Sequence, residues 1–318
     1  MRILVTGGAG YLGSILVEVL LTSWIDEPTP IFHEVTVLDN FRHGANSLAH
    51  LCSNERLTIV RGDARDTRTL EALVPKAEAI FPLAALVGAP LCDLDHHGAI
   101  TTNDGAIESL CEIASKDQPI IIPITNSGYG IGKKGTECTE ESPLRPLSLY
   151  GRTKVEAEAL IMGRGNAVSI RLATLFGMSP RMRLDLLVND MVYRAVRDRF
   201  VVLYEADAMR NYLHVRDAAE AFVHAIRNWE TMKNSIYNVG LSAANLSKRE
   251  LCARIKEHVP SFTVLESPVG SDVDKRDYMV SNAKIEATGW RPSYSLDDGI
   301  RELIQGYQMI RNERYANV

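Results

Sequence analysis

The chain predicts an α/β fold, a doubly wound parallel sheet followed by a smaller mixed α/β C-terminal domain. Three observations carry this expectation. A short apolar strand at the start runs directly into a glycine-rich turn and a helical pattern. Strand-like runs then alternate with helical patterns as far as Leu172, the rhythm of parallel strands joined by crossover helices. After Phe176-Gly177 that rhythm stops. The expected division is therefore 1–176 plus about 211–236 for the first domain, and 177–210 plus about 237–318 for the second.

The first strand, residues 1–6, ends in Thr6-Gly7-Gly8-Ala9-Gly10-Tyr11-Leu12-Gly13, and apolar residues at Leu12, Ile15, Leu16, Val19 and Leu20 mark the helix that follows. Gly7, Gly10 and Gly13 let backbone approach a ligand closely, and the helix N-terminus presents unpaired N–H groups. This context favours a bound pyrophosphate. The second strand, Val35–Leu38, ends in Asp39-Asn40. A carboxylate there can accept from adenosine ribose hydroxyls and repel a 2′-phosphate, which favours NAD over NADP. Its spacing from the glycines is a little long, and the polar insertion around Asp26–Pro30 accounts for that.

Leu57–Val60 reads as the third strand and Ala79–Ala85 as the fourth, the latter ending in small residues against which a flat ligand could lie. A long helix is expected over about Asp95–Lys116, a fifth strand over Pro119–Ile124 and a sixth over Ala167–Leu172. Ligands of such sheets bind beyond the carboxyl ends of the strands. The glycine turn, Asp39, Ala84-Ala85, Thr125 and the helix beginning at Tyr150 all fall at that edge and should line one cleft.

Tyr150-Gly151-Arg152-Thr153-Lys154 places a phenol and an ammonium one helical turn apart on one face. A neighbouring cation favours the ionised phenol, so the pair can serve as a general acid and base. On spacing alone an ordinary amphipathic helix explains it equally well. Tyr129 and Lys133 share the spacing, but Gly128, Gly130 and Gly132 between them argue against a helix.

Beyond Gly177 come a basic loop at Ser179–Arg183, a helix over Leu186–Arg197, a strand over Phe200–Tyr204, an amphipathic helix over Asp217–Asn228 and a short strand at Ile236–Val239. A helix over Leu246–His258, a charged loop at Asp272–Asp277 and a helix near Asp297–Asn312 follow. Arg183, Arg210 and Arg276 are fixed cations that could converge on a phosphate.

Composition restricts the function class. The 318 residues carry a net charge of −5 and no basic run, which argues against nucleic acid. No apolar run is long enough for a membrane span, and a strand starting at Met1 is read as leaving no room for a leader. Five scattered cysteines without a Cys-x-x-Cys read as reduced thiols of a cytoplasmic protein, with no metal site.

Together these residues resemble the extended short-chain dehydrogenase/reductases, in particular the nucleotide-sugar epimerase/dehydratase group, over essentially the whole chain. The motifs are Thr6–Gly13, Asp39-Asn40, Gly62-Asp63, Leu83-Ala84-Ala85, Asn103, Thr125 before Tyr129-Gly130, and Tyr150-x-x-x-Lys154. Arg210–Asp217, Tyr237–Gly240 and Thr288–Pro292 continue the match.

The resemblance implies a Rossmann domain. In it Gly7, Gly10, Tyr11, Leu12, Gly13, Asp39, Asn40, Asp63, Ala64, Leu83, Ala84, Ala85 and Asn103 would hold NAD, together with Tyr150 and Lys154. Tyr150 would take the proton of a sugar C4 hydroxyl, Lys154 would bind the nicotinamide ribose and lower the Tyr150 pKa, and Thr125 would hydrogen-bond the reacting oxygen. Asn126, Thr174, Arg183, Asn189, Arg210 and Arg276 would contact a nucleotide-diphosphate sugar. A homodimer through the helices near 95–116 and 150–163 is the common assembly of this family.

Family dehydratases carry Asp-Glu directly after the Thr, and decarboxylases also place a Glu nearby; Asn126-Ser127 cannot do that work. A 4-epimerase is therefore the leading expectation, with a net 4-dehydrogenase as the alternative and a 4,6-dehydratase disfavoured. A non-catalytic NAD-sensing protein and a dehydrogenase of a small non-nucleotide alcohol are the remaining readings. Pro82, Gly128 and Thr174 depart from the family pattern, where His, Val and Asn are frequent, and these positions bear on the sugar more than on the redox step.

Overall fold

The computed structural model describes residues 1–22, 33–44, 46–133, 135–268 and 276–310. The insertion around Asp26–Pro30, most of the Asp272–Asp277 loop and the end of the expected Asp297–Asn312 helix lie outside the described residues.

In chain order the strands are β1 (Arg2–Thr6), β2 (Glu34–Asp39), β3 (Leu57–Arg61), β4 (Ala79–Pro82), β5 (Ile120–Thr125), β6 (Glu137–Cys138) and β7 (Ala167–Leu172). They continue as β8 (Thr174–Phe176), β9 (Phe200–Leu203), β10 (Met209–His214), β11 (Ser235–Val239), β12 (Asn245–Ser247), β13 (Thr263–Glu266) and β14 (Met279–Val280). The principal sheet has seven strands in the order β11-β7-β5-β4-β1-β2-β3, and every pairing in it is parallel. The sequence order reverses between β1 and β4, and it is outside this switch point that ligands of such sheets sit.

Both faces are covered, as the continuous apolar character of β1, β5 and β7 demands. Helix Tyr11–Thr22 packs against helix Val215–Arg227 on one face, around Ile3, Val5, Leu16, Val17, Ala218 and Phe222. Helices Ala106–Ile113 and Leu149–Arg164 cover the other, around Leu4, Ile122, Ile124, Ala157 and Ile161.

The expected helix over Asp95–Lys116 is interrupted: His96–Ile100 and Ala106–Ile113 are α-helical, and Thr101–Gly105 between them forms a π turn. Asn103 lies in that turn, its side chain hydrogen-bonded away from the helix. The expected strand over Ala79–Ala85 ends at Pro82, and the helix over Leu246–His258 begins only at Lys248, because Asn245–Ser247 pairs with β10 as β12. Strand β11 joins the principal sheet and carries it to Val239, past the expected edge near 236. The remaining strands form small sheets, β12-β10-β8, β13-β9 and β14-β6. Among the described residues no helix is long and apolar enough to cross a membrane.

Candidate active site

A cleft of about 930 Å³ opens at the carboxyl ends of β1, β2, β4 and β5 and is closed on its far side by the 181–187 segment, β9, Arg210 and Arg276. Its first wall is the glycine turn. Gly7 has φ +72, and a Cβ there would lie 2.6 Å from the Ala84 nitrogen. Ala84 N in turn donates to Thr6 Oγ1 at 3.2 Å. At Gly13 a Cβ would lie 2.2 Å from the Gly7 carbonyl oxygen. These glycines let the helix start and the end of β4 close on the turn, which brings the helix N-terminus to the cleft. Tyr11, Leu12, Ala85, Ala64 and Leu83 line it as well.

Asp39 closes β2. Its Oδ2 accepts from Ala9 N at 2.9 Å and its Oδ1 from Phe41 N at 2.8 Å. The carboxylate fastens the glycine turn to β2, while each oxygen keeps a lone pair for a further donor. Asn40 Oδ1 accepts from Arg42 N at 3.0 Å. Asp63 is bound by the Arg65 guanidinium, with Nη2 donating to Oδ2 at 2.6 Å. Arg65 holds the Asp63 carboxyl below its usual range, burial acting the other way.

At the other end, Thr125 terminates β5 and Tyr150 stands in the first turn of helix Leu149–Arg164, whose start is capped by Ser148 Oγ accepting from Gly151 N at 3.1 Å. The Thr125 hydroxyl stands near the Tyr150 phenol and acts to lower its pKa. Thr125 Oγ1 also lies 2.8 Å from Ser127 Oγ, which accepts from Arg276 Nη1. Lys154 lines the cleft one turn beyond Tyr150 and is 4% exposed.

The electrostatics correct one expectation. Burial pushes the Tyr150 phenol up to about 12, and the cations opposing the rise are Arg183 first and Arg276, rather than Lys154. Lys154 is itself pulled down to about 8 by burial, with Glu158 acting against the fall. Helical spacing put the two groups on one face, but it carried no information on how dry that face is.

The three arginines expected to bind phosphate share one cleft. Arg183, Arg210 and Arg276 all line the cleft, as does Thr174. Arg183 is ion-paired with Asp185, and the Arg210 side chain donates to the Arg276 carbonyl, which fastens those two segments together.

Three expected contacts stand outside the cleft lining. Asn103 is 1% exposed; its Oδ1 accepts from Leu86 N at 2.7 Å and its Nδ2 donates to the Leu86 carbonyl at 2.9 Å. It braces the segment after β4 from behind. Asn189 is fully buried, with Oδ1 accepting from Gly177 N at 3.0 Å and Nδ2 donating to the Arg183 carbonyl at 2.8 Å. Asn126 is buried, and neither atom of its amide has a hydrogen-bond partner among the described residues. These amides saturate backbone or turn inward, where the sequence suggested ligand contacts.

Some cleft residues escaped the sequence reading. Arg181 and His43 both line it. His43 is exposed, and partial desolvation together with the neighbouring Arg181 and Arg42 lowers its pKa. The basic loop at Ser179–Arg183 was the available signal for Arg181; His43 offered none. Tyr11 also does more than line the cleft, since its hydroxyl donates to the Gly177 carbonyl at 2.6 Å and ties the glycine turn to the loop after β8.

The residues present fit a dinucleotide. The turn is compatible only with glycine at Gly7 and Gly13, the helix end faces the cleft, and Asp39 retains acceptor capacity. Comparisons with known proteins agree. The model of the NAD dependent epimerase/dehydratase family matches residues 3–240. UDP-glucuronic acid decarboxylase 1 of Arabidopsis thaliana is 29% identical over 322 residues, spanning 97% of this chain and 70% of that protein. The crystal structure of Thermus thermophilus UDP-glucose 4-epimerase in complex with NAD superposes with a TM-score of 0.80 at 26% identity, covering 97% of this chain and 99% of that one. A dTDP-glucose 4,6-dehydratase from Streptomyces venezuelae, solved with NAD bound, gives a TM-score of 0.82 at 26% identity and covers 97% of each chain.

Proposed function

This chain belongs to the NAD dependent epimerase/dehydratase family, and from that membership we propose that it is a nucleotide-sugar 4-epimerase. Its membership makes it an NAD-dependent enzyme of the extended short-chain dehydrogenase/reductase kind. One observation favours 4-epimerisation. The side chain hydrogen-bonded to Thr125 in the cleft is the Ser127 hydroxyl, which also accepts from Arg276. Elimination of water from a keto sugar needs a positioned acid and base at this corner, and a hydroxyl with an ordinary pKa is neither. The acids that line the cleft have other engagements: Asp39 accepts from the glycine turn, Asp63 pairs with Arg65, Asp95 caps helix His96–Ile100, Asp185 pairs with Arg183, and Asp190 pairs with Arg194 at 2.8 Å.

The glycine turn, Asp39 and the Leu83-Ala84-Ala85 segment would hold NAD, which when bound supplies a hydride acceptor and donor at sugar C4. The chain's own groups manage the proton and the charge. Tyr150 Oη takes the C4 hydroxyl proton as that carbon is oxidised and returns it when the opposite face is reduced. The Thr125 hydroxyl holds the reacting oxygen by a hydrogen bond. The Lys154 ammonium engages the nicotinamide ribose, while Arg183 and Arg276 supply positive charge near the phenol. Arg183, Arg210 and Arg276 neutralise the diphosphate, and the remote binding energy orients the sugar.

A homodimer through the helices near 95–116 and 150–163 and a cytoplasmic location belong to the same proposal. Exposed Ile100 and Leu160 on those helices support the former.

The test is incubation of the purified protein with UDP-, GDP-, CDP- and dTDP-sugars, followed by NMR of the products. A C4 epimer is expected from one of them. A 4-keto-6-deoxy sugar would assign a dehydratase, a pentose with carbon dioxide a decarboxylase, and stoichiometric NADH with a 4-keto sugar a net dehydrogenase.

A further inference from the structure

Between helix Leu149–Arg164 and β7, outside the cleft lining, lies a buried ion pair that the proton and hydride steps do not use. Glu158 is 4% exposed and Arg171, on β7, is 3% exposed. Arg171 Nε donates to Glu158 Oε2 at 2.9 Å and Nη2 donates to Oε1 at 2.5 Å. Ser169 Oγ donates to Oε2 at 2.6 Å. Arg171 Nη1 donates to Tyr129 Oη at 3.0 Å and to the Glu140 carbonyl at 3.1 Å. Tyr129 Oη donates to Asn238 Oδ1 at 2.7 Å. One carboxylate thus joins the Tyr150 helix to β7, to the turn after Thr125 and to β11.

A buried pair of this kind can often be replaced by apolar side chains with no loss of stability, so its presence calls for a reason other than packing. Its position supplies one. Glu158 follows Lys154 by one helical turn on the same face. The groups acting on the Lys154 ammonium are Glu158 from its own helix and, less strongly, the Cys92 thiol from helix Ala89–Leu94. Burial pushes that thiol up to about 11, which leaves it neutral at physiological pH. Glu158 is therefore the anion available to offset burial of Lys154. Its hydrogen bonds from Arg171 and Ser169 fix it in place.

We propose that Glu158 is a positioning residue for Lys154: held by Arg171 and Ser169, its carboxylate keeps the ammonium charged and directed to the nicotinamide end of the cleft. This rests on the assignment of Lys154 to the nicotinamide ribose, but not on which sugar is turned over.

Two readouts that need no sugar test it, the pH titration of Lys154 Nζ by NMR of lysine-labelled protein and NAD affinity by calorimetry across the same pH range. In E158Q both midpoints should fall by about one pH unit, and NAD should bind about tenfold more weakly where the wild-type ammonium is still charged. E158L/R171M removes the pair as a unit, so neither Glu158 nor Arg171 is left without the other, and should move the midpoints in the same direction; it carries the test should E158Q not fold. Unmoved midpoints in these variants would overturn the proposal. So would a loss of NAD affinity equal at every pH, which is what a merely structural role produces. A C4 product of the wrong kind in the sugar screen would leave these results unaffected.

Discussion

Replacing Tyr150 by Phe removes one oxygen from the cleft and leaves the ring packed against Leu86 and Leu91. In the proposed complex the phenol shares one hydrogen bond with the sugar hydroxyl, and its loss costs about 1 kcal/mol, or roughly a fivefold rise in KM. The chemical step loses its base, which costs about 10²–10⁴ in kcat, or about 3–5 kcal/mol of transition-state stabilisation. The pH profile carries the finer signature. With burial raising the phenol to about 12, roughly one molecule in ten thousand holds Tyr150 ionised at pH 8. The wild-type kcat/KM should therefore climb about tenfold per pH unit on its acid side. With Lys154 lowered to about 8, its charge is present below that pH and lost above it, which caps the climb on the alkaline side. In Y150F the acid limb should disappear and the alkaline limb remain. Initial rates with the sugar identified by NMR, together with NADH absorbance in a single turnover, measure both effects. A variant that keeps the sloping acid limb, or a kcat within about tenfold of wild type, would remove Tyr150 from the role of base.

Two glycines should respond to alanine in opposite directions. At Gly13 the new methyl meets the Gly7 carbonyl oxygen at 2.2 Å, so G13A should lose about 1–3 kcal/mol and bind NAD more weakly by calorimetry. At exposed Gly163, inside helix Leu149–Arg164, nothing lies within 4 Å, and G163A should gain up to about 1 kcal/mol in denaturant unfolding. N103A strips partners from the Leu86 N–H and C=O and from the Thr153 hydroxyl; a loss of about 2–4 kcal/mol is expected, and unchanged stability would show that water replaces the amide.

The doubly wound sheet was legible because its signals are local and repeated. The strand–glycine–helix start at Arg2–Thr22 and the buried runs at β5 and β7 each identify their own element. The short strands were not legible, since β6, β8, β13 and β14 have two to four residues each and exist through partners far along the chain. The π turn at Thr101–Gly105 was hidden by continuous helical propensity around it. In the cleft, backbone geometry dictated by glycine and the alignment of Thr125 with Tyr150 followed from sequence. The roles of Asn103 and Asn189 did not, because an amide that saturates buried backbone and an amide that meets a ligand look alike in sequence. Nor could helical spacing reveal that Tyr150 and Lys154 are both pushed toward neutrality by the dry helix face on which they lie.

The position of β11 at the edge of the principal sheet constrains how this protein can be made or divided. A fragment ending at Phe176 would present β7 as a bare edge, and Val168 and Ile170 would lack helix Val215–Arg227, which packs over β5, β7 and β8. The dinucleotide lobe therefore cannot mature ahead of the rest during vectorial synthesis. It stays open until residue 239 has left the ribosome, by which time the chain through β9 and β10 has also been made. Bisecting the gene after Phe176 would part β7 from β11, whereas a circular permutant that keeps residues 167–239 contiguous would preserve that pairing.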